Sequence, residues 1–432
     1  MGKKVLASFS SMLLFLFFTC ILLFASLANA NFTPLPTLPT PIYIKSDGTV
    51  EPPTAPIHKN CDTYKLTGTI NNTIVIQRSS IVLDGDGYAI TKPSVNTTGL
   101  MIPVSWLPGI RVADVSNVKI VNFAFDGCVT GVVVDNSTKI TITHNTFRET
   151  LTGIAVYRSS YVNIVGNNLF LKEQTFATGI TFQPSSGSQH VRIESNLIVG
   201  NSKELPNYDM QPEEYGIWGG FENSVMTKNT LTHIKGIALY NIGANNSIAY
   251  NNFEENCKGI LINGNQNIWF NNTLYGNNFK QNYENAINAF IRNPPVDFWY
   301  NGSVGNYWSD YIGQDKNADG VGDKPYLLKL TYEDYKQQKN IALIQGRDNY
   351  PSMVPFNIPV LEVVLPQHPI SPTSQYSSKD LTNPPQVSGI ATNDQWLLSI
   401  SLVAIAAVAI IVVNVIFVAK KRLEKKRFLT YF

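Results

Sequence analysis

Apolar and polar positions alternate with a period of two through the middle of the chain, in short bursts that recur. Gly109-Ile110-Arg111-Val112, Gly131-Val132-Val133-Val134, Gly153-Ile154-Ala155-Val156, Gly179-Ile180-Thr181-Phe182, Gly216-Ile217-Trp218-Gly219, Gly236-Ile237-Ala238-Leu239 and Gly259-Ile260-Leu261-Ile262 open seven units, with glycines 22, 22, 26, 37, 20 and 23 residues apart. Each unit continues with a second alternating pair, such as Val118/Ile120, Ile140/Ile142 and Val162/Ile164. A third element follows, Asn-x-apolar, as in Asn145/Phe147, Asn167/Leu169 and Asn229/Leu231. Alternation in β-branched residues predicts short strands with one buried face, and no segment here has a helical period.

Three strands per unit of about 22 residues predict one turn of a three-sided coil. Stacking coils about 4.8 Å apart pairs each strand with its equivalents above and below and aligns the inward Ile, Val and Phe in columns. The fold class expected is therefore all-β: a right-handed parallel β-helix with N- and C-terminal caps, plus one C-terminal transmembrane helix. Glycine at each coil start allows a tight corner. Asparagine at a fixed corner is expected in the left-handed conformation, its amide stacked on the next as a ladder. The Leu-x-x-Leu-x-Leu pattern of a leucine-rich solenoid is absent.

The two ends read differently. Lys3 and Lys4, an apolar run from Met12 to Leu27, and Ala28-Asn29-Ala30 make residues 1–30 a signal peptide with a small-x-small cleavage site. Residues 396–419 are uncharged, apolar and long enough to cross a bilayer core of about 30 Å. Lys420, Lys421, Arg422, Lys425, Lys426 and Arg427 follow at once, so residues 420–432 are a basic cytoplasmic tail and the rest is outside. Between these ends lie an N-terminal segment and cap (31–80), the coils (81–290), a C-terminal cap with an Asp/Gly-rich loop (291–355) and a Pro/Ser-rich stalk (356–395). Charged residues are only 15% and the formal net charge is +2, which gives no basic face for nucleic acid. Seven Asn-x-Ser/Thr sequons suit an exported chain. Cys128 and Cys257 end coils five turns apart, about 24 Å, too far for a disulfide.

The unit Gly-Ile-x-Val…Ile-x-Ile-x-x-Asn-x-Phe resembles the parallel β-helix repeats grouped around the NosD family, together with carbohydrate-binding and sugar-hydrolase β-helices. The likeness is nearest to NosD-like surface proteins of archaea, through Gly305-Asn306-Tyr307-Trp308-Ser309-Asp310-Tyr311, Asp315 to Asp323, Pro325-Tyr326 and Asp348-Asn349-Tyr350-Pro351. That resemblance implies the fold, and by the family's name it implies copper. Copper centres need clustered His, Met or Cys. The five His and six Met are scattered, and His144, His190 and His233 fall in three units at unequal offsets, so copper binding is not expected.

Carbohydrate-active β-helices gather carboxylates on one face, whereas Asp114, Asp135, Glu194, Glu222 and Glu254 are single acids spread over several units. The 37-residue interval holds an insertion with Asp209, Glu213 and Glu214, beside a smaller one with Glu173. Trp218 and Tyr240 follow at outward positions where rings can stack on sugars. These six residues are the candidate ligand site. Asp315, Asn317, Asp319, Val321 and Asp323, with Gly320 at position six, match the first part of a calcium loop that lacks its final glutamate. The expected function is a membrane-anchored extracellular β-helix protein that binds or scaffolds surface polysaccharide. A polysaccharide lyase or glycoside hydrolase is the alternative, and NosD-like copper handling a further one.

Overall fold

The computed structural model describes residues 40–91, 108–172, 176–183, 187–201, 214–241, 243–262, 271–288, 297–332 and 341–361. The signal peptide, the apolar run 396–419, the basic tail and nearly all of the stalk lie outside them. All described residues belong to the first of two units, Met1–Ile370. Among them every regular element is a strand, and no helix is long and apolar enough to cross a membrane.

Three long sheets carry the strands, and most neighbours pair in parallel. Sheet A runs from Ile42–Ile44 through Thr130–Asp135 and Glu214–Trp218 to Glu284–Asn288. Sheet B runs from Thr63–Leu66 through Ser116–Val121 to Thr273–Tyr275, and sheet C from Ala89–Thr91 through Ala124–Asp126 to Tyr307–Trp308. The fold is a parallel β-helix. It reaches further than 81–290: Ile42–Ile44 already pairs in parallel with Ile74–Ile76, and Tyr307–Trp308 with Asn278–Lys280. The antiparallel strands Val50–Glu51 and Ile57–Asn60 close the first edges. Strands of one sheet place Ile110, Val132, Ile154, Ile180, Ile217, Leu239 and Ile260 in successive register, all fully buried. Each such side chain contributes roughly 1.5–3 kcal/mol by leaving water.

Register corrects one unit. Leu239 pairs with both Ile217 and Ile260, so Ala238, not Gly236, is the coil-opening position. The short 20-residue interval came from counting a glycine two positions early. The reason for the other glycines also differs from the expectation, since their φ angles are not positive. A Cβ on Gly131 would stand 2.5 Å from the Phe147 ring, and one on Gly153 would stand 2.6 Å from the Gly179 carbonyl oxygen. Close approach of the next coil and of the core excludes a side chain there.

The corners between sheets B and C follow one rule. A left-handed residue comes first, and the ladder asparagine follows it in ordinary conformation. His144, Gly166, Ser195, Lys228, Tyr250 and Gly276 take φ between 52° and 66° just before Asn145, Asn167, Asn196, Asn229, Asn251 and Asn277. Each asparagine gives both its backbone N–H and Nδ2 to the Oδ1 of the next. Distances are 3.0 Å for both bonds from Asn145 to Asn167, and 2.9 Å for both from Asn229 to Asn251. The amides therefore lie head to tail with their positive ends toward the C-terminus.

Three ladders run in that direction, one at each corner, and each meets an aspartate at that end. Asn306, the seventh rung, gives its N–H to Asp348 Oδ2 at 2.6 Å, and Trp308 Nε1 donates to the same oxygen at 3.0 Å. At the corner between sheets A and B, Asn246 leads to Asn272, which gives N–H and Nδ2 to Asp297 Oδ1 at 3.0 and 3.1 Å. At the third corner Asn256 leads to Asn282, then through Asn285 to Asp310 at 2.7 Å. The last rung has donors to satisfy and no further rung to donate to, so an acceptor-only carboxylate fits where an amide would not. An anion also suits the positive end of aligned dipoles. The core ends in the same region with a ring stack, Phe279, Trp308 and Tyr326, at centroid distances of 4.3 and 4.1 Å.

Candidate functional site

Sheet A is the face beside which the chain departs from its period. Residues 92–107, 173–175 and 202–213 each join a strand of sheet C to one of sheet A. Residues 184–186 and 263–270 follow strands of sheet A. On its outer side the register runs Arg111, Val133, Ala155, Thr181, Trp218, Tyr240, Leu261, Ile287.

Trp218 and Tyr240 are direct neighbours across adjacent coils, both half-buried. Tyr215 completes the group, its ring 6.3 Å from Trp218 and 6.2 Å from Tyr240. Sequence reading missed Tyr215. Its signal was position: it stands directly before the coil glycine, where Thr130, Thr152 and Thr178 stand in earlier coils. Burial, and the neighbouring Tyr240, push the Tyr215 hydroxyl above its ordinary pKa.

Of the expected acids, Glu173, Asp209 and Glu213 lie outside the described residues. Glu214 is not an open ligand group. It is 2% exposed, and its Oε2 accepts the Lys235 N–H at 2.7 Å. Burial raises its pKa, opposed by the backbone donors of Lys235 and Asn201. Its role is to satisfy corner backbone next to Gly200. Three of the five single acids face cations, Asp135 holding Arg158 at 2.7 Å and Glu254 holding Lys280 at 2.6 Å, whereas Asp114 accepts from Asn136 Nδ2 at 2.6 Å. Glu194 contacts Arg192 and Lys228.

In the cap, Asp315 Oδ2 accepts the Gly320 N–H at 2.9 Å, Asp319 Oδ1 accepts that of Val321 at 2.8 Å, and Asp323 Oδ2 accepts that of Lys316 at 3.1 Å. Asn317 Nδ2 donates to Asp319 Oδ2 at 2.9 Å. Gly320 has φ +85°, which favours glycine at this turn. The loop is tied down by Gly322 N–H to the Pro351 carbonyl at 2.9 Å and by Tyr311 OH to the Lys324 carbonyl at 2.6 Å. Beside it a cavity of about 750 Å³ is lined by Tyr283, Asp310, Tyr311, Lys324 and Tyr326. Asp310 and Tyr326 are hydrogen-bonded to each other there.

These coils, ladders and capping motifs define a parallel β-helix repeat protein. The family model described as "Periplasmic copper-binding protein (NosD)" matches residues 62–313, more than half of the chain, and the chain belongs to that family. Among curated proteins none matches. Among solved structures it is similar to the periplasmic alginate epimerase AlgG (12% identity, TM-score 0.37, covering 55% of this chain and 69% of that one). It is also similar to DFA-IIIase from Arthrobacter chlorophenolicus A6 (14%, 0.35, 49% and 53%) and to an alginate lyase from Paenibacillus sp. str. FPU-7 (14%, 0.30, 55% and 99%).

The described donors do not fit the copper of the family description. His144 Nδ1 pairs with Thr143 Oγ1 at 2.9 Å, His190 stacks on Tyr161 at 4.8 Å, and His233 Nε2 meets Glu255 at 2.7 Å. These rings lie at different corners. Cys128 is buried, its thiol pushed up to about 12 by desolvation first and Asp126 second, so it stays protonated and a poor ligand. Cys61, Cys128 and Cys257 are all free, and among the described residues no three of His, Cys, Asp or Glu gather.

Proposed function

We propose that this β-helix is an exported, membrane-tethered surface protein that binds polysaccharide along the outer face of sheet A. The observation that carries the reading is the ring cluster Tyr215, Trp218 and Tyr240, half-buried on the outer side of sheet A. Rings held by rigid strands present flat apolar surface at little entropic cost, which suits the C–H faces of sugars. The signal peptide, the span at 396–419 and the basic tail support export with retention at the membrane. Full-length protein in mild detergent should bind soluble glycans, and Trp218→Ala should weaken that binding about tenfold, near 1.4 kcal/mol. Unchanged affinity in the variant would remove sheet A as the surface.

A second part of the reading concerns the cap. Asp315, Asn317, Asp319, Val321 and Asp323 are proposed to hold one calcium ion, supported by Gly320 at the sixth position and by carboxylates already turned into the loop. Three acids in nine residues repel one another unless a cation is bound. Without the twelfth-position glutamate the affinity belongs to the weak, extracellular range.

A further inference from the structure

We propose that Asn301 is the residue at which this chain carries an N-linked glycan, and that the fold keeps the other described Asn-x-Ser/Thr sites bare. Export, as proposed above, is required, since sugar transfer to such sites belongs to secreted chains. Five sequons fall among the described residues, at Asn71, Asn136, Asn245, Asn271 and Asn301. A transferase that demands both the asparagine amide and the hydroxyl two residues on has to find the two groups unengaged. In four of these five sites one of them is already used. Thr73, which completes the Asn71 site, gives its hydroxyl to the Pro108 carbonyl at 2.8 Å. Asn136 gives Nδ2 to Asp114 Oδ1 at 2.6 Å, and Thr138 Oγ1 pairs with Ser160 Oγ at 3.3 Å. Asn271 gives Nδ2 to Asn245 Oδ1 at 3.1 Å, and Asn245 gives its own to Asn223 Oδ1 at 3.4 Å. Asn136, Asn245 and Asn271 are corner residues with left-handed backbone, stacked on the equivalent residue of a coil about 4.8 Å away. A sugar on one of them would take an amide hydrogen from the stack and lie across the neighbouring coil.

Asn301 stands in a different setting. Asn301-Gly302-Ser303-Val304 is a tight turn closed by two backbone bonds, Asn301 N–H to the Val304 carbonyl at 2.8 Å and Val304 N–H to the Asn301 carbonyl at 3.1 Å. Asn301, Gly302 and Ser303 are exposed, and a Cβ on Gly302 would meet nothing within 4 Å. Among the described residues neither the Asn301 amide nor the Ser303 hydroxyl has a hydrogen-bond partner. Trp299 just before the turn and Asn306 just after it are fully buried, so the tip projects from a fixed base. A glycan here leaves every ladder intact. Its transfer forms a bond from Nδ2 to the anomeric carbon of a sugar carried on a lipid phosphate. The bond from that carbon to the phosphate oxygen breaks, the lipid phosphate leaves, and Nδ2 gives up one proton.

The test is glycopeptide mass spectrometry on full-length protein purified from its own cell membranes, beside surface biotinylation of the intact cells. Peptides holding Asn301 should carry sugar, with Asn71, Asn136, Asn245 and Asn271 bare. Asn301→Gln and, independently, Ser303→Ala should each remove that sugar and the matching shift on a denaturing gel, while Asn245→Gln leaves both unchanged. Glycan on any of the other four as often as on Asn301, or a biotin-labelled chain with no sugar at Asn301, would overturn the proposal and leave export intact. A bare chain that biotin does not reach would overturn both.

Discussion

The corner between sheets B and C and the two corners beside sheet A obey different rules. The first runs from Asn145 to Asn306 without an insertion, each rung buried and bonded to the next. Of the others, the corner from sheet A to sheet B uses serine and then asparagine, the corner from sheet C to sheet A has asparagine only from Asn256 on, and the two carry every long departure from the period among the coils. One edge fixes the stacking, which leaves the opposite face free to vary. Insertion is tolerated where backbone donors have other partners, and excluded where one lost rung strands buried groups on both sides.

The largest effect should come from breaking that continuous edge. Asn229→Ala removes the acceptor of Asn196 and the donor to Asn251, with buried amides left on either side. A loss of roughly 3 kcal/mol or more is expected in denaturant unfolding. Exposed Asn223→Ala, at the corner beside sheet A, should cost only about 1 kcal/mol, mostly for the left-handed backbone that asparagine tolerates better than alanine. Equal losses would erase the distinction between the corners.

The terminating aspartates sharpen it next. Asp348 receives donors from Asn306, Trp308 and Tyr350 on its two oxygens, so Asp348→Asn turns an amide nitrogen against a donor and should cost about 2 kcal/mol. Asp297 uses only Oδ1, and its Oδ2 has no partner, so Asp297→Asn should be mild. Burial pushes the Asp297 carboxyl up to about 6, against two opposing bonds from Asn272. The folded chain then holds a proton that the unfolded chain has released between about pH 4 and 6. Its contribution is fully present below about pH 4 and is lost as pH rises to about 6, at most about 3 kcal/mol. Asp348 is raised in the same direction, by burial. Thermal unfolding across that window should lose part of its slope in Asp297→Asn; an unchanged slope would place the titration elsewhere.

A smaller effect than that of Asp348→Asn is expected from calcium on the cap. With a site near 0.1 mM, millimolar calcium should add about 1.4 kcal/mol to cap stability, and Asp319→Ala should abolish the gain. Protease cleavage near Lys324, with calcium and with chelator, reads it directly. Indifference to calcium would make this an Asp/Gly turn.

The coil was legible in sequence because alternation and a period near 22 residues are local signals. Trp218 and Tyr240 could be placed outward for the same reason. The slip at Gly236 arose because glycine marks close approach, which Ala238 also tolerates, so spacing had to be settled by pairing. Left-handed asparagines with stacked amides do occur at the corner that leads into sheet B, where Asn223, Asn245 and Asn271 take φ of 48–58° and Asn271 donates to Asn245 at 3.1 Å. Between sheets B and C, however, His144, Lys228 and Tyr250 take that conformation one position before the ladder asparagine, with no shared side-chain chemistry to announce it. Asp348 lies 42 residues from its partner Asn306, beyond any local pattern. The motif on which the resemblance rests, Asn306 to Tyr311 with Asp348 to Pro351, includes residues that end the ladder and the ring stack.

Those ladder ends bear on self-association. A stack of identical coils has no intrinsic length, and an amide at its last rung would offer its N–H to the first coil of another molecule. Asp297, Asp310 and Asp348 offer the last rungs only oxygen, Asp348 from a fully buried position, and oxygen cannot extend a chain of donors. Each of these ladders is thereby closed within the chain, and its last rung is left with no donor for another molecule to continue.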